Sequence, residues 1–138
     1  MSSPIMLLLD THVWIWWAEQ DRRLPRALKE KMEEHEGILA VSSATIYETL
    51  TLVRRNRITL NRATDDWIER ATHGADIEIT PLDGAIAKQA GNLPFHHGDP
   101  IDRLIIATAI CQKALLASMD SQFPHYEALA GRLISNKD

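Results

Sequence analysis

The 138-residue chain has a single cysteine, Cys111, so an internal disulfide is impossible and a cystine-stapled secreted scaffold is excluded. Cys111 falls inside an apolar run, which reads as a buried, inert thiol in a reducing compartment. Long hydrophobic stretches are also missing: the purely apolar runs at residues 5–9 and 13–18 fall far short of the ~20 residues a membrane span needs. Met1-Ser2-Ser3-Pro4 offers no basic residue and Asp10 interrupts the apolar stretch, so neither signal peptide nor membrane association is expected, and the expected location is the cytoplasm. Basic charge is not in excess either. Fifteen Lys and Arg against 19 Asp and Glu leave a net charge of −4, which argues against a broad basic surface for nucleic acid. A nuclease stays open, because divalent cations gathered by acids offset that charge where a phosphate would lie. With only 6 Gly and 6 Pro and no low-complexity segment, collagen-like and disordered readings fall away.

What is present is an ordinary soluble make-up, 45% hydrophobic and 25% charged, long enough to bury about two-thirds of its unfolded surface. A single domain over residues 1–138 is expected. Residues 5–9 read as a strand buried on both faces, followed by a helix over 12–19. Residues 25–36 read as an amphipathic helix with Pro25 at its start and Gly37 at its end, and 38–41 as a second strand. Ser42 or Ser43 caps a helix running to about Asn56, with Ile46, Leu50 and Val53 on one side and Ala44 and Leu52 towards another, a pattern for a largely buried helix. Residues 61–73 form an amphipathic helix stopped by Gly74, 77–79 a half-covered third strand, and 82–90 a short helix. A loop over 91–98 leads to an apolar helix opened by Asp99-Pro100 and running to Gln112. Residues 114–119 read as a fourth strand, with a short helix and a last strand at 132–134 beyond it. Strands alternating with helices in this way specify an α/β fold, a mainly parallel sheet of four or five strands covered on both faces as an α/β/α sandwich. Sites in such folds form beyond the carboxyl ends of the strands.

Acids concentrate where that crevice should be. Asp10 and Asp120 each follow an apolar strand, although Asp is also a favoured helix cap in a strand-to-helix turn. Glu48 lies in the helix judged buried, where an unpartnered ionised carboxylate costs several kcal/mol; a capping box with Thr45 is the competing explanation. Asp99 and Asp102 flank Pro100 and serve equally as cap and first-turn acid of the following helix. Four carboxylates drawn together cannot all remain ionised unaided, and a hard divalent cation with oxygen ligands resolves the conflict. Mg²⁺ or Mn²⁺ in such a set activates water for attack on a phosphodiester.

Four segments, in this order, carry a family resemblance: Leu7-Leu-Leu-Asp-Thr-His-Val-Trp14, Ser43-Ala-Thr-Ile-Tyr-Glu-Thr-Leu50, His97-Gly-Asp-Pro-Ile-Asp-Arg-Leu-Ile-Ile-Ala-Thr-Ala109 and Leu116-Ala-Ser-Met-Asp-Ser-Gln-Phe123. Together they span nearly the whole chain, and it resembles a PIN-domain ribonuclease of the VapC toxin type. The resemblance implies a PIN-like fold and a metal-dependent endoribonuclease of a toxin–antitoxin pair, dimeric and silenced by a small antitoxin. It also implies that Asp10, Glu48, Asp102 and Asp120 are the metal-site acids, with Asp99 additional and Thr11 and Ser121 lining the same pocket. Ile101 stands where many relatives carry Phe.

Other residues are read more plainly. His96 and His97 suit supporting roles near the acids, since neutral imidazoles bind magnesium poorly. Arg103, beside Asp102, is expected to pair with an acid or a phosphate. Arg54, Arg55 and Arg57 close the helix that carries Glu48; they either complement its carboxyl end or track an RNA backbone. Trp14, Trp16 and Trp17 exceed what one buried face accepts, so at least one is expected to contact a second subunit or an antitoxin. The Arg22-Arg23 and Lys29–Lys31 charges read as a solvated face. Two rival functions are a phospho-acceptor signalling domain of doubly wound type and a catalytically inactive partner-binding module. Against the first, Asp10 precedes Thr11 rather than a second acid, and residues 114–122 hold no Lys. No Walker loop, dinucleotide turn, zinc pattern or Gly-x-Ser-x-Gly elbow is present.

Overall fold

The computed structural model describes residues 5–96 and 98–135, and its strands and helices alternate as the apolar pattern requires. Five strands, β1 (Leu7–Leu9), β2 (Leu39–Ser42), β3 (Ile77–Thr80), β4 (Leu115–Ala117) and β5 (Leu133–Ile134), form one sheet in the order β3-β2-β1-β4-β5. All four pairings are parallel. Six helices connect them: α1 (Thr11–Glu19), α2 (Arg26–Glu34), α3 (Ser43–Arg54), α4 (Thr64–Ala71), α5 (Gly84–Asn92) and α6 (Pro100–Cys111).

Strand alternation sorts the core into two layers. Leu7 and Leu9 of β1, Val41 of β2 and Ala117 of β4 point to one face and pack with Val13, Trp14, Leu28, Met32 and Trp67 from α1, α2 and α4. Leu8, Ala40 and Leu116 point to the other, against Ile105, Ile106 and Ala109 of α6 and Phe123, Tyr126 and Leu129 of the tail. Ile86 and Ala90 of α5 close over Ala107 on the outer side of α6. Every residue of β1 is fully buried, as expected of a central strand covered on both faces. The order reverses direction at β1, so the sheet splits between the helices that follow β1 and β4, and the crevice lies beyond those two carboxyl ends.

Several boundaries differ from the sequence expectation. Helix α2 stops at Glu34, where the His35 N–H donates to the Met32 carbonyl. Gly37 is instead the point where the chain passes the β1 entrance: a Cβ there would run into the Ile5 carbonyl oxygen. Helix α4 covers only Thr64–Ala71, and Gly74 lies inside a following 3₁₀ turn closed by Asp76 at φ 55°. Helix α5 starts later, because the Asp83 side chain caps it by accepting from the Ile86 N–H, and it runs through Gly91 to Asn92. The tail helix becomes two 3₁₀ turns before β5. Helix α3 is only half-buried: its buried stripe is Ala44, Thr45 and Thr49, while Ile46, Leu50 and Val53 are partly exposed. Cys111 is exposed, not buried, because it ends α6 on the side turned from the sheet, with its thiol 3.8 Å from the Ala85 carbonyl. Among the described residues no helix is long and apolar enough to cross a membrane.

Two glycines should respond oppositely to alanine. Gly37→Ala forces the chain off Ile5 and is expected to lower stability by about 1–3 kcal/mol. Gly91→Ala, in a helix with open space around it, should raise it by about 0.5–1 kcal/mol. Urea unfolding midpoints check both.

Candidate active site

Sheet register places the first two acids. Leu9 pairs with Ala117, so the next residues, Asp10 and Ser118, emerge side by side, and the Asp10 N–H extends the ladder to the Ala117 carbonyl at 2.9 Å. Asp10 caps α1, its Oδ1 accepting from the Thr11 N–H at 2.9 Å. Its Oδ2 accepts from the Ser118 hydroxyl at 2.8 Å, and Ser118 Oγ accepts the Asp120 N–H at 3.0 Å. Ser118 therefore ties the two acids together. No motif marks Ser118 in the sequence; its one signal is a hydroxyl residue two positions before an acid at a strand end.

Helices α3 and α6 supply the remaining acids. Ser42 caps α3, its side chain accepting from the Ala44 N–H, so Glu48 is not the partner of a Thr45 capping box. Thr45 is buried and shares a 3.1 Å hydrogen bond with Thr11, tying the start of α3 to the start of α1. One turn further, Glu48 faces the carboxyl edge. At the start of α6, Asp99 Oδ1 accepts from the N–H groups of Ile101 (2.8 Å) and Asp102 (3.4 Å), with Pro100 in the first turn. Asp99 is thus a helix cap and an acid of the cluster at once. One carboxylate oxygen each from Glu48, Asp99 and Asp102 lies within 4.8 Å of the other two. Asp10 and Asp120 stand beside that triad, near enough for Glu48 and Asp120 to act on Asp10 electrostatically.

The energetics follow from this crowding. Burial pushes the Asp10 carboxyl up to about 6; the Ser118 hydroxyl and Thr11 N–H oppose the rise, and the charges of Glu48 and Asp120 add to it. Glu48 Oε1 is buried and has no hydrogen-bond partner among the described residues. A buried carboxylate oxygen without a donor is costly, and a cation held jointly with Asp99 and Asp102 would satisfy it. An all-oxygen donor set of this kind suits a hard divalent ion and offers nothing to a soft one.

Open clefts border the acids. One of about 320 Å³ is lined by Tyr47, Glu48, Arg55, Arg57 and Asp99, and another of about 320 Å³ by Asp10, His12, Trp16 and Asp120. Ser121 is exposed and lines a third, of about 470 Å³, with Ser118 and Asp120. A further depression, about 790 Å³, lies against the β3 edge and is lined by residues such as Ile38 and Asp76 at the amino ends of β2 and β3, away from these acids.

Trp14 is no partner contact: it is 0% exposed, its indole N–H donates to the Ala71 carbonyl at 2.9 Å, and its ring meets Trp67 edge-on at 5.0 Å. The core takes this ring whole because α4 supplies both an acceptor and an aromatic face, while Trp16 and Trp17 are only partly buried. Arg103 turns away from the acid cluster. It is 8% exposed, donates to the carbonyls of Ala90, Leu93 and Pro94, and lies over the Phe95 ring at 4.6 Å, so it closes the end of α5. Arg55 and Arg57 line the cleft that holds Glu48 and Asp99, whereas Arg54 is exposed outside that lining. His97 lies outside the described residues; exposed His96 packs edge-on against Tyr126 at 5.0 Å.

Residues 7–129 match the family model described as PIN domain. Ribonuclease VapC22 of Mycobacterium tuberculosis (strain ATCC 25618 / H37Rv) is 39% identical over 106 residues, covering 75% of this chain and 78% of that protein. Two solved structures share the fold. A chain of VapBC2 from Rickettsia felis bound to a promoter DNA fragment superposes with a TM-score of 0.70 at 16% identity, covering 95% of this chain and 98% of that one. A chain of a toxin–antitoxin complex from Klebsiella pneumoniae gives 0.66 at 17% identity, covering 96% and 98%.

The Asp10 shift makes a signed prediction for the metal-free protein. Its carboxyl binds a proton more tightly folded, near 6, than unfolded, near 3.8, so that contribution is complete below pH 4 and is lost as pH rises through 6. Asp10→Asn removes the charge, and should be more stable than the parent by about 1–3 kcal/mol at pH 8 and nearly equal to it at pH 4. Thermal melts in chelator across this range test it; an advantage that does not grow with pH contradicts it.

Proposed function

This chain belongs to the PIN domain family, and on that premise we propose that it is a Mg²⁺- or Mn²⁺-dependent endoribonuclease, the toxin of a toxin–antitoxin pair. The observation that carries the reading is the unpartnered, buried Oε1 of Glu48 beside Asp99 and Asp102 at the carboxyl edge of the sheet. Glu48, Asp99 and Asp102 would hold the ion, with Asp10 and Asp120 completing the acidic wall. When bound, a divalent ion screens the phosphate charge and acidifies water for attack at phosphorus.

The chain's own groups do the positioning. Thr11 and Ser118 fix both oxygens of Asp10, and Ser118 also fixes the backbone of Asp120, so the acids keep their spacing without waiting for substrate. Ser118 has committed its proton to Asp10 Oδ2 and acts as a strut, not as a nucleophile. Ser121, beside Asp120, and Arg55 and Arg57, beside Glu48 and Asp99, line two separate open clefts that border the acids and are available to a strand. Family membership argues against the phospho-acceptor alternative, and five acids at one edge argue against an inactive module.

The same premise supports the expected partners: an RNA substrate, a cognate antitoxin as in the complexes that share this fold, and a second copy of the chain in a homodimer acting in the cytoplasm. Cleavage of single-stranded RNA with Mg²⁺ or Mn²⁺, suppressed by chelator and lost in Asp102→Asn with the fold intact by circular dichroism, is the expected result. Equal cleavage in chelator, or in Asp102→Asn, would remove the metal-dependent reading.

A further inference from the structure

Tyr47 is the one large aromatic on α3, and the helix turns it outward. The buried stripe of Ala44, Thr45 and Thr49 faces α1 and the core, so residue 47 emerges on the opposite side, 64% exposed, immediately before Glu48. An aromatic ring left in water is ordinary when isolated. This one lines the cleft of about 320 Å³ that also holds Glu48, Asp99, Arg55 and Arg57.

Two arginines bring positive charge to that cleft. Arg23, Arg26, Arg62 and Arg70 each lie against a carboxylate, and Arg103 is spent on carbonyls. Among the described residues, Arg55 and Arg57 share with Arg22, Arg54 and Arg132 the lack of an ion pair, but they alone of these line the cleft of the triad. The cleft thus presents an open π face, two available guanidinium groups and the edge of an oxygen-rich cation site. A nucleotide needs those three things: stacking for the base, positive charge for the flanking phosphates and an ion for the phosphate to be cut.

We propose that Tyr47 is a base-stacking residue that, with Arg55 and Arg57, selects single-stranded RNA by accepting an unstacked base beside the carboxylate triad. The proposal rests on the RNA-cleaving reading above. A base within a duplex is stacked on its neighbours and cannot lie on Tyr47, so the station discriminates by strandedness and not by hydrogen bonding to base edges.

The test is fluorescence anisotropy of a labelled 12-nucleotide single-stranded RNA of mixed sequence, and of the same RNA annealed to its complement. It is run on the Asp10→Asn protein with Mn²⁺ so that binding is read without turnover. Tyr47→Ala should weaken single-strand binding about 10-fold, Tyr47→Phe should stay within about twofold, and duplex binding should not respond. Arg55→Ala and Arg57→Ala should each reduce the log–log salt slope by about 0.7, while Tyr47→Ala leaves it unchanged. Unaltered single-strand affinity in Tyr47→Ala, equal losses on single strand and duplex, or failure of Tyr47→Phe to rescue would each overturn the stacking role. If Tyr47→Ala binds RNA normally but sediments as a smaller species than the parent, the ring is a protein contact and the proposal is wrong. Cleavage by the unmutated chain separates the two levels: RNA cut normally with Tyr47→Ala binding unchanged defeats only this inference, whereas no binding and no cleavage by the unmutated chain defeats the ribonuclease reading as well.

Discussion

Mutual repulsion among carboxylates at the split in the sheet is the constraint that orders the rest of this molecule. Parallel strands running to one edge bring the residues after β1 and β4 together by register, and the caps of α3 and α6 aim two more helix starts at the same place. Folding therefore gathers like charges into a partly desolvated crevice, which opposes stability. The carboxyl of Asp10, raised chiefly by burial with the charges of Glu48 and Asp120 adding to it, and the orphaned oxygen of Glu48 are the local signs of that cost. A fold that holds such a cluster against repulsion needs fully apolar strands behind it, and the wholly buried Leu7, Leu8 and Leu9 meet that need.

Fixed polar struts keep the cluster from relaxing. Ser118 grips Asp10 and Asp120, the Thr11–Thr45 pair locks α1 to α3, and Asp99 stitches the first turn of α6 while remaining within reach of Glu48 and Asp102. Arg103 works at one remove. By binding the last carbonyls around α5 it anchors the segment that leads into Asp99.

Much of this is legible in the amino-acid sequence. Apolar strands ending in Asp, an acid in a helix with apolar neighbours, and Asp-Pro opening an apolar helix pointed to a mainly parallel sheet of four or five strands, of which the structure has five, and to five candidate acids at its carboxyl edge. The failures have physical reasons. Helix ends were expected at Gly37 and Gly74, but apart from Gly131 this glycine-poor chain enters the left-handed region at Gln20, Asn56, Asp76 and Lys113, which no glycine marks. Composition could not say which tryptophan the core would take, because that depended on the Ala71 carbonyl and the Trp67 ring, 57 and 53 residues beyond Trp14. Cys111 was expected to be buried and is exposed because sequence neighbours on a helix point in different directions. Ser118 and Tyr47 gain meaning only from what lies across the crevice.

The proposed metal dependence stands or falls with a divalent cation held by Glu48, Asp99 and Asp102. Isothermal titration of Mn²⁺ into the metal-free chain, beside Glu48→Gln, examines it most directly. Saturable uptake by the parent, lost or strongly weakened in Glu48→Gln while both proteins remain folded, is the predicted result. No uptake by the parent, or identical uptake by the two, would contradict it.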